Sequence, residues 1–131
     1  MDDFFLEFDV RDYELDFQGI VNNANYQHYL EHARHKYMTL KNIDVPKLHI
    51  EGIDLVVSRI EIDYKHPLKS RDRFKVCISV YREGNLKFVF DQKILRIPDN
   101  KLILKAKVTG VCLKNGKLTK PEDVIDVCFW Q

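Results

Sequence analysis

From Gly52 onward the chain reads as β-type runs separated by turns of a few residues, an order that leaves few folds open. Ile53 to Tyr64 is one long run, with Pro67 just beyond it. Phe74, Val76, Ile78 and Val80 alternate with polar residues, the period of a half-buried strand. Glu83-Gly84-Asn85 turns the chain into Leu86–Ile97, Pro98-Asp99-Asn100 turns it into Leu102–Leu113, and Asn115-Gly116 marks a further turn. Strands joined so briefly run antiparallel. Pro121 to Val127 is expected to form a short terminal helix.

Only one long helix precedes this series. Phe4 to Val10, rich in aromatic residues, predicts a first strand, and Glu14 to Asn23 reads as a loop. From Ala24 the residues Tyr26, Tyr29, Leu30, Ala33, Tyr37 and Leu40 recur at helical spacing, so one face is expected to be buried. Asn22 or Asn23 fits the N-cap. Pro46 falls in a short irregular or helical connection. One strand, one main helix and some four antiparallel strands predict a single α+β domain over residues 1–131, a curved sheet around one helix. That length supports a core without covalent staples.

Bulk properties exclude several classes. Hydrophobic residues make up 45% and charged residues 31%, the balance of a globular domain. No apolar run reaches the length of a membrane span, and the acidic start MDDFFLEF does not read as a signal peptide. Cys77, Cys112 and Cys128 are odd in number, widely spaced and fit no zinc or redox pattern, so a reducing, cytoplasmic setting is expected. The net charge of +1 conceals an asymmetry: residues 1–64 hold 13 Asp/Glu against 6 Lys/Arg, and residues 65–120 hold 4 against 15. No arginine-rich tract or recognition motif points to nucleic acid. A basic surface that steers a phosphorylated ligand fits better.

The chemistry concentrates between Val10 and Arg34, VRDYELDFQGIVNNANYQHYLEHAR. An acidic loop with Asp16 and Gly19 leads into the helix, so a carboxylate stands near a helix N-terminus. A carboxylate can attack a carbonyl or activate water, and a helix N-terminus offers unpaired N–H groups to developing negative charge. Together these are the two halves of an ester or thioester hydrolase site.

The residues Asp16, Gly19, Ile20-Val21 and Ala24-Asn25-Tyr26, in that order and spacing, resemble the hot-dog-fold acyl-CoA thioesterases of the 4-hydroxybenzoyl-CoA thioesterase-like group. The similarity continues through Leu30-Glu31-His32-Ala33-Arg34, Glu61-Ile62-Asp63-Tyr64, Pro67, Asp72 and Lys105-Ala106-Lys107-Val108-Thr109. It implies a hot-dog fold and hydrolysis of an acyl-CoA to free acid and CoA, with neither metal nor organic cofactor. By the resemblance Asp16 is the nucleophile or general base, the Asn23 backbone N–H faces the carbonyl oxygen, and Gly19 lets the loop pass close to substrate. It also implies a homodimer or homotetramer with each site at a subunit boundary. One departure stands out: many relatives have an aromatic-His pair where this chain has Asn22-Asn23, so an imidazole is lost.

Two other readings follow from the residues. His28 and His32 with Glu31 between them match a zinc-peptidase helix pattern, and His35 lies on nearly the same face. Solvent-side histidines, and an ion pair of Glu31 with a Lys or Arg one turn away, account for the same residues. A non-catalytic acyl-CoA-binding module of the same fold is the other alternative. Lys65, His66, Lys69, Arg71 and Arg73 open the basic half and are candidates for the CoA phosphates.

Overall fold

The computed structural model describes residues 4–125. Strand β1 (Phe4–Asp9) leads through a 3-10 turn at Asp12–Glu14 to helix α1 (Asn23–Leu40) and the short helix α2 (Val45–Ile50). Strands β2 (Ile53–Tyr64), β3 (Arg73–Glu83), β4 (Lys87–Ile97), β5 (Leu102–Lys114) and β6 (Lys117–Thr119) follow. The sequence predicts this order. The expected terminal helix contracts to a 3-10 turn at Pro121–Asp123, and residues 126–127 lie outside the described part. Pro46 enters α2 in its first turn, where the missing N–H costs nothing, and Asp44 caps that helix through Lys47 N–H.

The sheet runs β1-β3-β4-β5-β2, every neighbouring pair antiparallel, with β6 beside β5. It curls around α1, the architecture of the hot-dog fold. A consequence is that β2 and β3, successive in the chain, are not neighbours. The connection between them, residues 65–72, crosses the end of the sheet and passes beneath the loop that enters α1. The backbone N–H groups of Lys65 and His66 both donate to Ile103 O, fixing the start of this crossing to β5.

The helix turns Tyr26, Tyr29, Leu30, Ala33 and Tyr37 into the core, as their spacing predicts. Leu40 departs from that expectation: it is 65% exposed, because Tyr37 and Met38 occupy the buried face at the last turn. Aromatic rings provide much of the contact. Tyr29 packs at 4.7 Å on Phe74 and 5.6 Å on Phe8, and Tyr37 meets Phe4 edge-on at 5.6 Å. Such pairs add about 0.5–1.5 kcal/mol each beyond their buried area. A polar tie accompanies them: Gln92 on β4, wholly buried, donates to Leu30 O at 3.0 Å and accepts from Arg34 Nη1 at 3.1 Å.

Tyr26 joins the helix to the crossing connection. Its hydroxyl accepts the Leu68 N–H at 2.8 Å within the core, and burial raises its pKa above the usual tyrosine value despite that bond. Tyr26→Phe leaves the Leu68 N–H buried without an acceptor. The expected loss is about 1–3 kcal/mol of unfolding free energy with an unchanged denaturant slope, read from urea melts. Unaltered stability would mean that this bond contributes nothing.

Candidate active site

The loop before α1 closes on itself. Leu15 and Val21 form an isolated antiparallel bridge, and between them Asp16 N–H donates to Ile20 O at 2.8 Å and Gly19 N–H to Asp16 O at 3.1 Å. Gly19 sits at φ +78°, a left-handed conformation that side chains resist. Its would-be Cβ meets open space, so the backbone angle, not crowding, requires glycine here.

The Asp16 carboxylate divides its oxygens between two tasks. Oδ1 accepts the Gln18 N–H at 2.8 Å and faces the Ile20 N–H at 3.4 Å, an Asx-type turn. Among the described residues Oδ2 accepts no hydrogen bond, and the residue is exposed. A turn-capping aspartate and a chemically available one are thus the same residue. The cap holds the rotamer and leaves one oxygen presented.

At the helix start, Asn22 is the N-cap, with its side-chain oxygen accepting the Ala24 N–H at 2.9 Å. The Asn22 carbonyl takes the Asn25 N–H at 2.9 Å. Among the described residues the Asn23 N–H meets no acceptor. The capping pattern therefore satisfies the second and third amides of the helix and leaves the first open, beside the positive end of the helix dipole. Asn22 and Asn23 are exposed.

Sequence reasoning missed the residue that holds this loop to the helix. Glu14 is only 7% exposed; its Oε1 accepts the Arg11 N–H at 2.7 Å. Its carbonyl accepts both the Asn22 N–H at 3.1 Å and the Asn25 Nδ2 at 2.9 Å. Burial, and then the Glu14 carboxylate, raise the Tyr29 hydroxyl pKa well above its ordinary value. A glutamate two residues before Asp16 and an asparagine in the first helical turn were the available signals.

The crossing connection docks on the same loop. Val21 N–H donates to Leu68 O at 2.9 Å, Ile20 bridges Lys69, and Val10 N–H donates to Asp72 O at 2.9 Å. Lys65, His66, Lys69 and Arg71 are exposed on this connection, and of them Lys69 is bridged to the loop through Ile20. Arg73 differs from the others: it lies on β3 and faces Asp9 at 3.7 Å and Glu7 at 3.8 Å.

The helix histidines stay apart from any ligand set. His28, His32 and His35 are exposed, His32 packs edge-on at 5.6 Å against Phe8, and no three His, Cys, Asp or Glu groups among the described residues come together around a metal position. Glu31 is exposed and makes no ion pair within 4 Å among the described residues, so the expected pairing along the helix does not form. Cys77 and Cys112 are buried, and burial pushes the Cys112 thiol up to about 11. Cys128 lies outside the described residues. Among those residues no helix is long and apolar enough to cross a membrane.

A sequence profile of the thioesterase-like superfamily matches residues 10–127, from the end of β1 past the last 3-10 turn. The chain belongs to that superfamily. Among curated proteins, this thioesterase-like chain is 37% identical over 110 residues to the chloroplastic acyl-acyl carrier protein thioesterase ATL2 of Arabidopsis thaliana. The match covers 84% of the chain but 58% of that relative, so the chain spans little more than half its length. It is 30% identical over 105 residues to the long-chain acyl-CoA thioesterase FadM of Escherichia coli, covering 79% and 78% of the two. The fold matches that of a 1,4-dihydroxy-2-naphthoyl-CoA thioesterase from Synechocystis with a TM-score of 0.88 over 96% of the chain and 94% of the other, at 17% identity.

Proposed function

We propose that this protein hydrolyses an acyl-CoA thioester to the free acid and CoA, using no metal or organic cofactor. The observation that carries the reading is that, among the described residues, the Asn23 N–H is open on the same short loop-to-helix segment as an Asp16 oxygen that accepts nothing. With the thioester carbonyl oxygen on the Asn23 amide, negative charge that develops on it is stabilised by about 3 kcal/mol. Asp16 then either attacks the carbonyl carbon, giving a mixed anhydride and expelling the CoA thiolate, or takes a proton from the water that attacks. In the first route water cleaves the anhydride; in both, the products are a carboxylic acid and the CoA thiol. Gly19 shapes the turn that presents Asp16.

The Asn22-Asn23 departure fits this chemistry. The backbone amide performs the carbonyl contact, and the Asn22 side chain is occupied as the N-cap. The named function of ATL2 favours a second reading of the carrier: acyl carrier protein also presents its acyl group on a phosphopantetheine arm, so the same two groups would act on it. A non-catalytic binding module is the alternative to both. The buried free thiol of Cys112 suits a reducing, cytoplasmic setting.

The working unit in this reading is at least a dimer. Strand β2 is a 12-residue sheet edge with exposed Val56, Val57, Ile60 and Tyr64, and such edges pair with another copy. Asp16 and Asn23 are exposed on one chain, whereas a hydrolase site excludes bulk water. A second copy laid along β2 supplies the missing wall.

Asp16→Asn keeps the turn's acceptor oxygen and removes the nucleophile or base. The expected result is a folded protein whose kcat on a good acyl-CoA or acyl-carrier substrate falls by about 10²–10⁴. Near-normal turnover by a folded variant would exclude Asp16, and acyl-CoA binding without any turnover by the parent protein would favour the binding module. A second measurement addresses the carrier. Neutralising Lys65, Lys69 and Arg71 together should raise the KM for CoA thioesters at least several-fold and leave that for short pantetheine thioesters unchanged. An equal effect on both would remove the phosphate contacts.

A further inference from the structure

Helix α1 carries an arginine on its buried side. Arg34 is 8% exposed, next to Ala33 and one turn from Leu30 and Tyr37, and its Nη1 donates to Gln92 Oε1 at 3.1 Å. A guanidinium has five N–H donors. Among the described residues only this one bond is made, and no carboxylate lies within 4 Å. Burial lowers the pKa of Arg34, while the charge of Glu31, one turn earlier, works against that shift. A nearly buried cation with most of its donors unused is a costly arrangement unless an anion completes it.

The cavity beside it shows where that anion enters. A space of about 280 Å³ lies between α1 and β2, with Arg34, Glu31, Gln27 and Ala24 on the helix side and Ile60 on the strand side. Ile60 belongs to β2, which pairs with β5 on one side and with no strand among the described residues on the other, and it is 41% exposed. The cavity thus adjoins the unpaired edge. Glu31, at the middle of α1 and exposed, is an acid without an ion-pair partner among the described residues, on the same wall as Arg34. The surface offers an unsatisfied cation and an unpaired anion one turn apart, which makes it complementary to itself.

We propose that Glu31 of the partner subunit enters this cavity and pairs with Arg34, and that two-fold symmetry repeats the pair in the opposite sense. The inference rests on the dimer reading and adds what sets its register. In a two-fold contact, if residue 34 meets residue 31 then 31 also meets 34. Two copies of α1 that run antiparallel and cross near their midpoints satisfy this, since Glu31 sits at the middle of Asn23–Leu40. The pair selects one sliding position of β2 against its copy, because every other position leaves both cations without acids.

Charge exchange between separate chains tests the idea. Glu31→Arg and Arg34→Glu are prepared as full chains, and dimerisation is followed by sedimentation and native mass spectrometry, alone and after mixing. Each variant alone faces like charges in both pairs, so its dimer should weaken at least about tenfold relative to the parent. Mixing creates two pairs of opposite sign across the interface and should restore a heterodimer near the parent affinity. If the charges paired within one chain, each variant would keep its own repulsion and mixing would rescue nothing. Should Arg34→Glu fail to fold, Arg34→Gln takes its place, and its mixed dimer with Glu31→Arg should still exceed the Glu31→Arg homodimer. A Glu31→Arg homodimer as tight as the parent, or a mixture without rescue, overturns the proposal while leaving the dimer intact. A parent protein that is monomeric throughout would remove the dimer reading itself.

Discussion

Because β2 pairs with β5 at one edge while β3 lies beside β1, the chain must cross the end of the sheet between Tyr64 and Arg73. That crossing is pinned at Ile103, at the Tyr26 hydroxyl and at Val21, and the Asp16 loop rests on it through the Ile20 and Lys69 bridge. The loop has little core of its own. Its shape comes from backbone hydrogen bonds to the connection below and from the Glu14 carbonyl, which collects Asn22 and Asn25. A sheet with β2 beside β3 would need no crossing, and the seat of the loop on residues 65–72 would not form.

The same topology explains why the two chemical groups are available. Polar groups at a loop-to-helix junction usually satisfy one another. Here Asn22 serves two of the first three helical amides and Asp16 Oδ1 serves the turn. What remains without a partner among the described residues is one amide and one carboxylate oxygen. Placing them on an exposed junction avoids the cost of leaving buried groups unpaired, and in the proposed dimer leaves to the neighbouring copy the exclusion of water. Arg34 carries the parallel problem inside the helix–sheet contact, where Gln92 meets only part of its demand.

Much of this was legible in the chain. Helical spacing picked out Tyr26, Tyr29, Leu30, Ala33 and Tyr37, and the turn residues from Glu83 to Gly116 marked the hairpins to within a residue or two. These signals are local, set by backbone period and turn chemistry. The family pattern around Asp16 added the candidate site. Strand order was not legible, since nothing local states that β2 joins β5. The burial of Glu14 and Arg34 was missed for a related reason: a charged residue reads as solvent-facing until its distant partners, Asn25 or Gln92, are known. Leu40 failed in the opposite direction, because its helical turn already filled the space with Tyr37 and Met38.

The central claim is that the Asn23 amide receives the carbonyl oxygen while Asp16 faces the carbonyl carbon. A crystal structure with an acyl-CoA analogue whose thioester sulfur is displaced by a methylene, leaving an unreactive ketone, reads that geometry directly. The account predicts the ketone oxygen about 3 Å from the Asn23 nitrogen, with Asp16 Oδ2 on the side of the carbonyl carbon. A fully occupied analogue whose carbonyl lies away from both groups would contradict it.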